Sequence, residues 1–74
     1  MKLTIKLFAY FRDNRFVSEV REFPDTTTVG AIIDQLGIDR EAVGITMINS
    51  RHCKVGTVPV DGDVVAIFPM VGGG

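Results

Sequence analysis

The chain opens on an alternation. Leu3, Ile5 and Leu7 fall on one side of residues 2–7, and Lys2, Thr4 and Lys6 on the other. A period of two predicts a strand with one buried face. Ala9 and Phe11 continue the apolar series, while Phe8 and Tyr10 turn the second face aromatic. "RDNR" (12–15) is a polar turn signal. "FVSEVREF" (16–23) reads as a second strand, so the two form a β-hairpin that Pro24 and Asp25 end. In "TTTVGAIIDQLG" (26–37) the apolar spacing changes. Val29, Ile32, Ile33 and Leu36 stand at i, i+3, i+4 and i+7, which is one face of a helix. Thr27 or Thr28 can cap it through a side-chain oxygen. Gly37 sits where a left-handed C′ residue is wanted, with Ile38 as the apolar closure. Gly30 inside the helix costs about 1 kcal/mol against alanine, and close packing of the helix on the sheet accounts for it.

Beyond the helix, "DREAVG" (39–44) predicts one short helical turn capped by Asp39, "ITMI" (45–48) a strand and "NSRH" (49–52) a polar turn. "CKVGTVPV" (53–60) reads as irregular, with at most a short edge strand, because Pro59 cannot donate to a ladder. "DGD" (61–63) is a turn signal. "VVAIF" (64–68) is a continuous apolar run of the kind buried on both faces in mid-sheet, and Pro69 is expected to end its pairing. The order β-β-α-β-(β)-β, with one main helix over a mixed sheet of four or five strands, is a two-layer α+β architecture. The ubiquitin-like β-grasp is the candidate fold, with the last strand beside the first. The division expected is a β-grasp domain over 1–68 and a flexible tail over 69–74.

Composition narrows the function. At 74 residues the chain makes one small domain, too small for a cleft between lobes. The net charge is −1, and the lysines and arginines are scattered. Phosphate neutralisation needs a concentrated positive face, so no nucleic-acid partner is expected. No apolar run is long enough to span a membrane. Met1 leads directly into a strand, which leaves no signal peptide, and a cytoplasmic location is expected. A single cysteine, Cys53, excludes an internal disulfide and a Cys-only zinc site. It reads as a small half-buried hydrophobe, with a sulfur-handling thiol as the alternative. His52 reads as an exposed turn residue, and Asp61 and Asp63 as a solvated turn. The sequence has no phosphate loop, dinucleotide fingerprint or metal-ligand spacing. No metal and no bound cofactor are expected, and no catalytic centre of its own.

Two features remain. Phe8, Tyr10 and Phe68 can form an apolar patch on the sheet face away from the helix. An exposed patch of that kind marks an interface in a small protein. The second feature is the ending, "FPMVGGG". Pro69, Met70, Val71, Gly72, Gly73 and Gly74 extended span about 20 Å, enough to enter a narrow channel in a partner. Glycine has no side chain to block such a channel. The tail is shaped to present the α-carboxylate of Gly74 to another protein's active site. Adenylated there with ATP, that carboxylate becomes an electrophile that sulfur can attack.

These residues resemble the MoaD/ThiS sulfur-carrier family of ubiquitin-like proteins. "LFAYFRD" (7–13) resembles its first strand and turn on the MoaD side. "TTTVGAIIDQL" (26–36) resembles its helix. "DGDVVAIFPMVGGG" (61–74) resembles its closing turn, last strand and diglycine tail, and is the most specific of the three. The resemblance implies that an E1-like enzyme adenylates Gly74 with Mg-ATP. A cysteine desulfurase or rhodanese-type protein then supplies persulfide sulfur to make a thiocarboxylate. The carrier gives that sulfur to a pterin precursor of the molybdenum or tungsten cofactor within a synthase, alongside the large synthase subunit, or to the thiazole of thiamine through thiazole synthase. On this reading the protein is a carrier and not an enzyme. Met70 stands where the MoaD pattern has a second proline and Gly72 where it has alanine. The triple glycine is more at home on the ThiS side, whereas "LFAYFR" favours MoaD, with the pterin pathway ahead. Two further readings are a ubiquitin-like modifier joined to lysines and a non-catalytic β-grasp interaction module.

Overall fold

The computed structural model describes residues 1–71. Five strands form one sheet: β1 Lys2–Leu7, β2 Ser18–Glu22, β3 Val43–Ile48, β4 Arg51–His52 and β5 Val64–Pro69. Helix α1 spans Val29–Gln35, and single 3-10 turns occupy Ala9–Arg12 and Arg40–Ala42. The strand order is β2-β1-β5-β3-β4. β1 and β5 run parallel at the centre, and the other neighbours are antiparallel. A mixed sheet with α1 packed on one face is the ubiquitin-like β-grasp. Its core interleaves Leu3, Ile5 and Leu7 of β1 and Val65 and Ile67 of β5 with Val29, Ile32 and Ile33 of α1. Phe11, Phe23 and Ile38 complete that core.

Both ends of α1 follow the capping chemistry. The N–H of Ala31 donates to Thr28 Oγ1 at 3.1 Å. The N–H groups of Val29 and Gly30 donate to the carbonyls of Thr57 and Val55. The irregular 53–58 segment therefore satisfies donors that the helix cannot satisfy itself. At the other end Gly37 takes φ 72°, and the N–H groups of Ile38 and Gly37 donate to Ile33 and Asp34, a Schellman closure. The tightest contact at Gly30 is not with the sheet. A Cβ there would lie 2.7 Å from Arg40 Nη2, so the neighbour that needs the space is Arg40. Its Nε and Nη2 reach the Asp34 carboxylate at 2.9 Å each. The Arg40 hydrogen bond holds the Asp34 carboxyl below its usual value. The pair accordingly stabilises above the ordinary carboxylate range, and its contribution is lost as pH falls through the lowered folded value. Being exposed to solvent, it is expected to give a small difference between native protein and Arg40→Ala in neutral melts that disappears in strong acid.

Several strand boundaries differ from the alternation. β1 stops at Leu7, because Ala9 takes φ 54° and the chain turns into its 3-10 segment. Arg12 Nε braces that turn by donating to the Leu7 carbonyl at 2.7 Å. Ala9 is exposed in consequence, whereas Phe11 swings into the core. β2 begins at Ser18, two residues later than the pattern suggests, and all five of its residues are exposed. In "NSRH" only Asn49 and Ser50 form the turn, at φ 51° and 68°. Arg51 and His52 are already β4, opposite Ile48 and Met47, so the edge strand lies before residue 53. A two-residue loop with both φ positive is the type I′ hairpin, whose second position suits glycine. Ser50→Gly is expected to raise stability by about 1 kcal/mol, read as a higher urea midpoint at unchanged slope.

Asp61 and Asp63 do more than face solvent. Asp61 Oδ1 accepts from the N–H of Lys2 at 2.6 Å. The Asp63 carboxylate accepts from Asn49 Nδ2 and the Val60 N–H, which ties the β5 entry to the β3–β4 hairpin. β5 is central, as its composition predicts, but it is buried on one face only. Val65 and Ile67 are buried, whereas Val64, Ala66 and Phe68 are half-buried. A single helix covers only one side of the sheet. Nor does Pro69 end the pairing. It is buried, pairs with Val43, and is followed by a Met70 N–H that donates to the Ala42 carbonyl at 2.8 Å.

Candidate functional site

The uncovered face of the sheet is where β5's apolar excess goes. Residues directly opposite across a sheet share a face. The pairs Lys6–Ala66, Ala66–Met47 and Phe68–Ile45 therefore stand together on this side. Phe8 follows β1 in extended conformation, so the alternation carries its ring onto the same face. There it stacks on Phe68, with ring centroids 4.1 Å apart and an interplanar angle of 9°. The Arg12 guanidinium lies 5.2 Å from the Phe8 centroid, a cation–π contact. Beside the stack is an open groove of about 340 Å³ whose lining includes Lys6, Phe8, Met47, Ala66 and Phe68. An apolar floor with cations at the rim suits a partner surface that is apolar at its centre and acidic around it.

The three aromatics of the sequence reading are not all brought together. Tyr10 rides on the 3-10 turn, its ring edge-on to Phe11 at 5.1 Å, and does not line the groove. It is 54% exposed. Conversely, the sequence reading missed Lys6, Arg12 and Met47. For Lys6 and Met47 the signal was present as the polar or alternate position of a strand. For Arg12 it was not, because its placement depends on the unforeseen turn.

The chain leaves the sheet at the Phe68 end of this groove. Pro69 is buried in the sheet, whereas Met70 is 57% and Val71 91% exposed. Gly72, Gly73 and Gly74, and with them the chemistry expected at the terminal carboxylate, lie outside the described residues. Elsewhere, Cys53 is half-buried against the core, and its Sγ donates to Thr46 Oγ1 at 3.5 Å. His52 is exposed on β4. Among the described residues, no group of three or more His, Cys, Asp or Glu could hold a metal ion. No helix there is long and apolar enough to cross a membrane.

A family profile described as the ThiS family matches residues 5–74. Among solved structures, that of the Haloferax volcanii HVO 2177 protein is 28% identical, with a TM-score of 0.81, covering 100% of this chain and 87% of that one. A putative molybdopterin converting factor subunit 1 from Pyrococcus furiosus is 26% identical, with a TM-score of 0.77 over 96% of this chain and 99% of that one. A chain from the complex of subunits 1 and 2 of the molybdopterin-converting factor of Helicobacter pylori is 20% identical, with a TM-score of 0.68 and full coverage of both chains. The last similarity is one of fold alone. No curated protein sequence gives a significant match.

Proposed function

We propose a specific role for this chain, which belongs to the ThiS family of ubiquitin-like β-grasp carriers and small modifiers: it carries sulfur on the terminal carboxylate of Gly74 for the molybdenum or tungsten pterin cofactor. An E1-like enzyme joins that carboxylate to AMP from Mg-ATP and releases pyrophosphate. A persulfide sulfur, from a cysteine desulfurase or a rhodanese-type protein, displaces AMP. A second thiol then reduces the acyl disulfide and leaves the thiocarboxylate. Because the carrier contributes only its carboxylate and a docking surface, adenylation and sulfur delivery are the work of its partners.

The observation that carries this reading is the Phe8–Phe68 stack with Arg12 above it, at the end of the sheet from which the tail departs. A partner that docks on that face receives the tail within the reach of a few extended residues. Two of the stack's members, Phe8 and Arg12, come from the "LFAYFRD" segment that favours the pterin branch. The Pyrococcus furiosus protein's description as a molybdopterin converting factor subunit supports the same branch. The Helicobacter pylori protein is described as subunit 1 or 2 of a two-subunit complex, which supports a second synthase subunit as a partner.

The test is to supply the thiocarboxylated protein to a pterin-synthase large subunit together with its pterin precursor. Transfer of sulfur to the pterin is expected. Transfer only to a thiazole, with thiazole synthase present, would move the protein to the thiamine branch. Lysine-linked adducts in extract, with no transfer to either acceptor, would make it a protein modifier.

A further inference from the structure

The place where the chain leaves the sheet is built around a glycine that no turn requires. β3 and β5 pair in one register from Ile48–Val65 to Ile45–Phe68, and in another at Val43–Pro69. Gly44 is the extra residue, so β3 carries a bulge there. A Cβ on Gly44 would lie 2.7 Å from Met70 Cα, 2.9 Å from the Pro69 carbonyl oxygen and 3.1 Å from Met70 N. These are backbone atoms and cannot rotate aside. The φ of Gly44 is not among the positive values, which among the described glycines belong to Gly37 and Gly62. An L-residue could therefore take its conformation. What it could not do is leave room for Pro69 and Met70. Next to this contact the Met70 N–H donates to Ala42 at 2.8 Å, while Pro69 has no N–H to give. The bulge brings β3 against the one segment that separates the docking face from the tail.

We propose that Gly44 is a positioning residue: its missing side chain makes a notch that seats the Pro69–Met70 backbone and so sets the direction in which the tail leaves. This rests on the carrier reading. In the wild-type protein the Pro69–Met70 base of the tail is set before a partner binds. In Gly44→Ala the base of the tail is displaced, and only a fraction of molecules present the carboxylate in line with the partner's channel. A smaller competent fraction weakens apparent affinity in proportion without altering the chemistry of a correctly seated carboxylate.

The experiment compares wild type, Gly44→Ala and Gly56→Ala, whose added Cβ meets nothing within 4 Å. Amide hydrogen exchange is read first. Gly44→Ala is expected to lose protection at Met70 while Ile5 and Ile67 keep theirs, and Gly56→Ala to match wild type. Steady-state adenylation by an E1-like enzyme is read second. Gly44→Ala is expected to raise KM about tenfold, with kcat changed far less. Retained Met70 protection in Gly44→Ala overturns the notch. Lost protection with unchanged KM overturns the aiming role. If Gly44→Ala fails to fold, the native protein still decides, because a Met70 amide exchanging as fast as Val71 contradicts a seated tail base. Absence of any adenylation in wild type would sink the carrier reading itself, a result the exchange measurement distinguishes from failure of the notch.

Discussion

Removing Gly73 and Gly74 is expected to abolish thiocarboxylate formation while leaving the melting temperature within experimental error of the full chain. The two halves of this prediction have different causes. Among the described residues the buried side chains lie between Leu3 and Pro69, and the last backbone hydrogen bond into the sheet comes from Met70. Removing Gly73 and Gly74 leaves all of these contacts in place. The proposed chemistry, in contrast, depends on a carboxylate reaching a nucleotide inside another protein. A chain two residues shorter falls about 7 Å short, and its terminal carboxylate would belong to Gly72. Misplacement of a reacting group by a single ångström is already worth about a hundredfold in rate, so no residual activity is expected. The measurement is adenylate formation, followed by pyrophosphate release with an E1-like enzyme. Wild-type turnover by the truncated chain would show that Gly73 and Gly74 are dispensable and would contradict a role for the Gly74 carboxylate.

Phe68→Asp is expected to weaken binding to the E1-like enzyme by roughly 30- to 1000-fold, the range for an aromatic anchor worth about 2–4 kcal/mol. The ring stacks on Phe8 and is half-buried in the free protein, so it is available to a partner without first being released from the core. Aspartate there removes the stack and sets a charge in the middle of an apolar floor, where desolvation costs most. Val20 offers the comparison. It lies on the same face at the β2 edge, opposite Thr4, and is 63% exposed. Val20→Asp is expected to leave affinity within a factor of two or so. Calorimetry on variants whose circular dichroism and melting match a folded domain decides the matter. Unchanged affinity in both Phe68→Asp and Phe8→Asp would show that the partner docks elsewhere.

Those elements whose signals are local were readable in the sequence. Thr28, Gly37 and Ile38 fix α1 by caps that act within a few residues, and the structure follows them. Leu3, Ile5 and Leu7 announce β1 by a period that needs no knowledge of its neighbours. The end of β1 was not readable, because it depends on Ala9 adopting a positive φ so that Phe11 can enter the core. Propensity gives no hint of that. The packing of Tyr10 against Phe11 was hidden for the same reason. The composition of "VVAIF" correctly predicted a central strand, but could not say that only one face would be covered. That follows from the number of helices and not from the strand. Asn49–Ser50 hid a type I′ hairpin because serine stands where glycine usually declares it. Gly44 carries no sequence signal at all, since its reason is a contact with Pro69 and Met70, 25 and 26 residues away along the chain.

The central claim concerns one atom, the oxygen of the terminal carboxylate that sulfur replaces. The protein should be co-expressed with an E1-like enzyme and a sulfur donor, alkylated at neutral pH, and its C-terminal peptide sequenced by mass spectrometry. Mass alone is insufficient, because oxidation of Met70 adds nearly what an oxygen-to-sulfur exchange adds. The alkyl group must be placed on a residue. A label on Gly74 that disappears when ATP-dependent activation is blocked is expected. A label confined to Cys53, with an unmodified Gly74 carboxylate beside a competent adenylating partner, would contradict it.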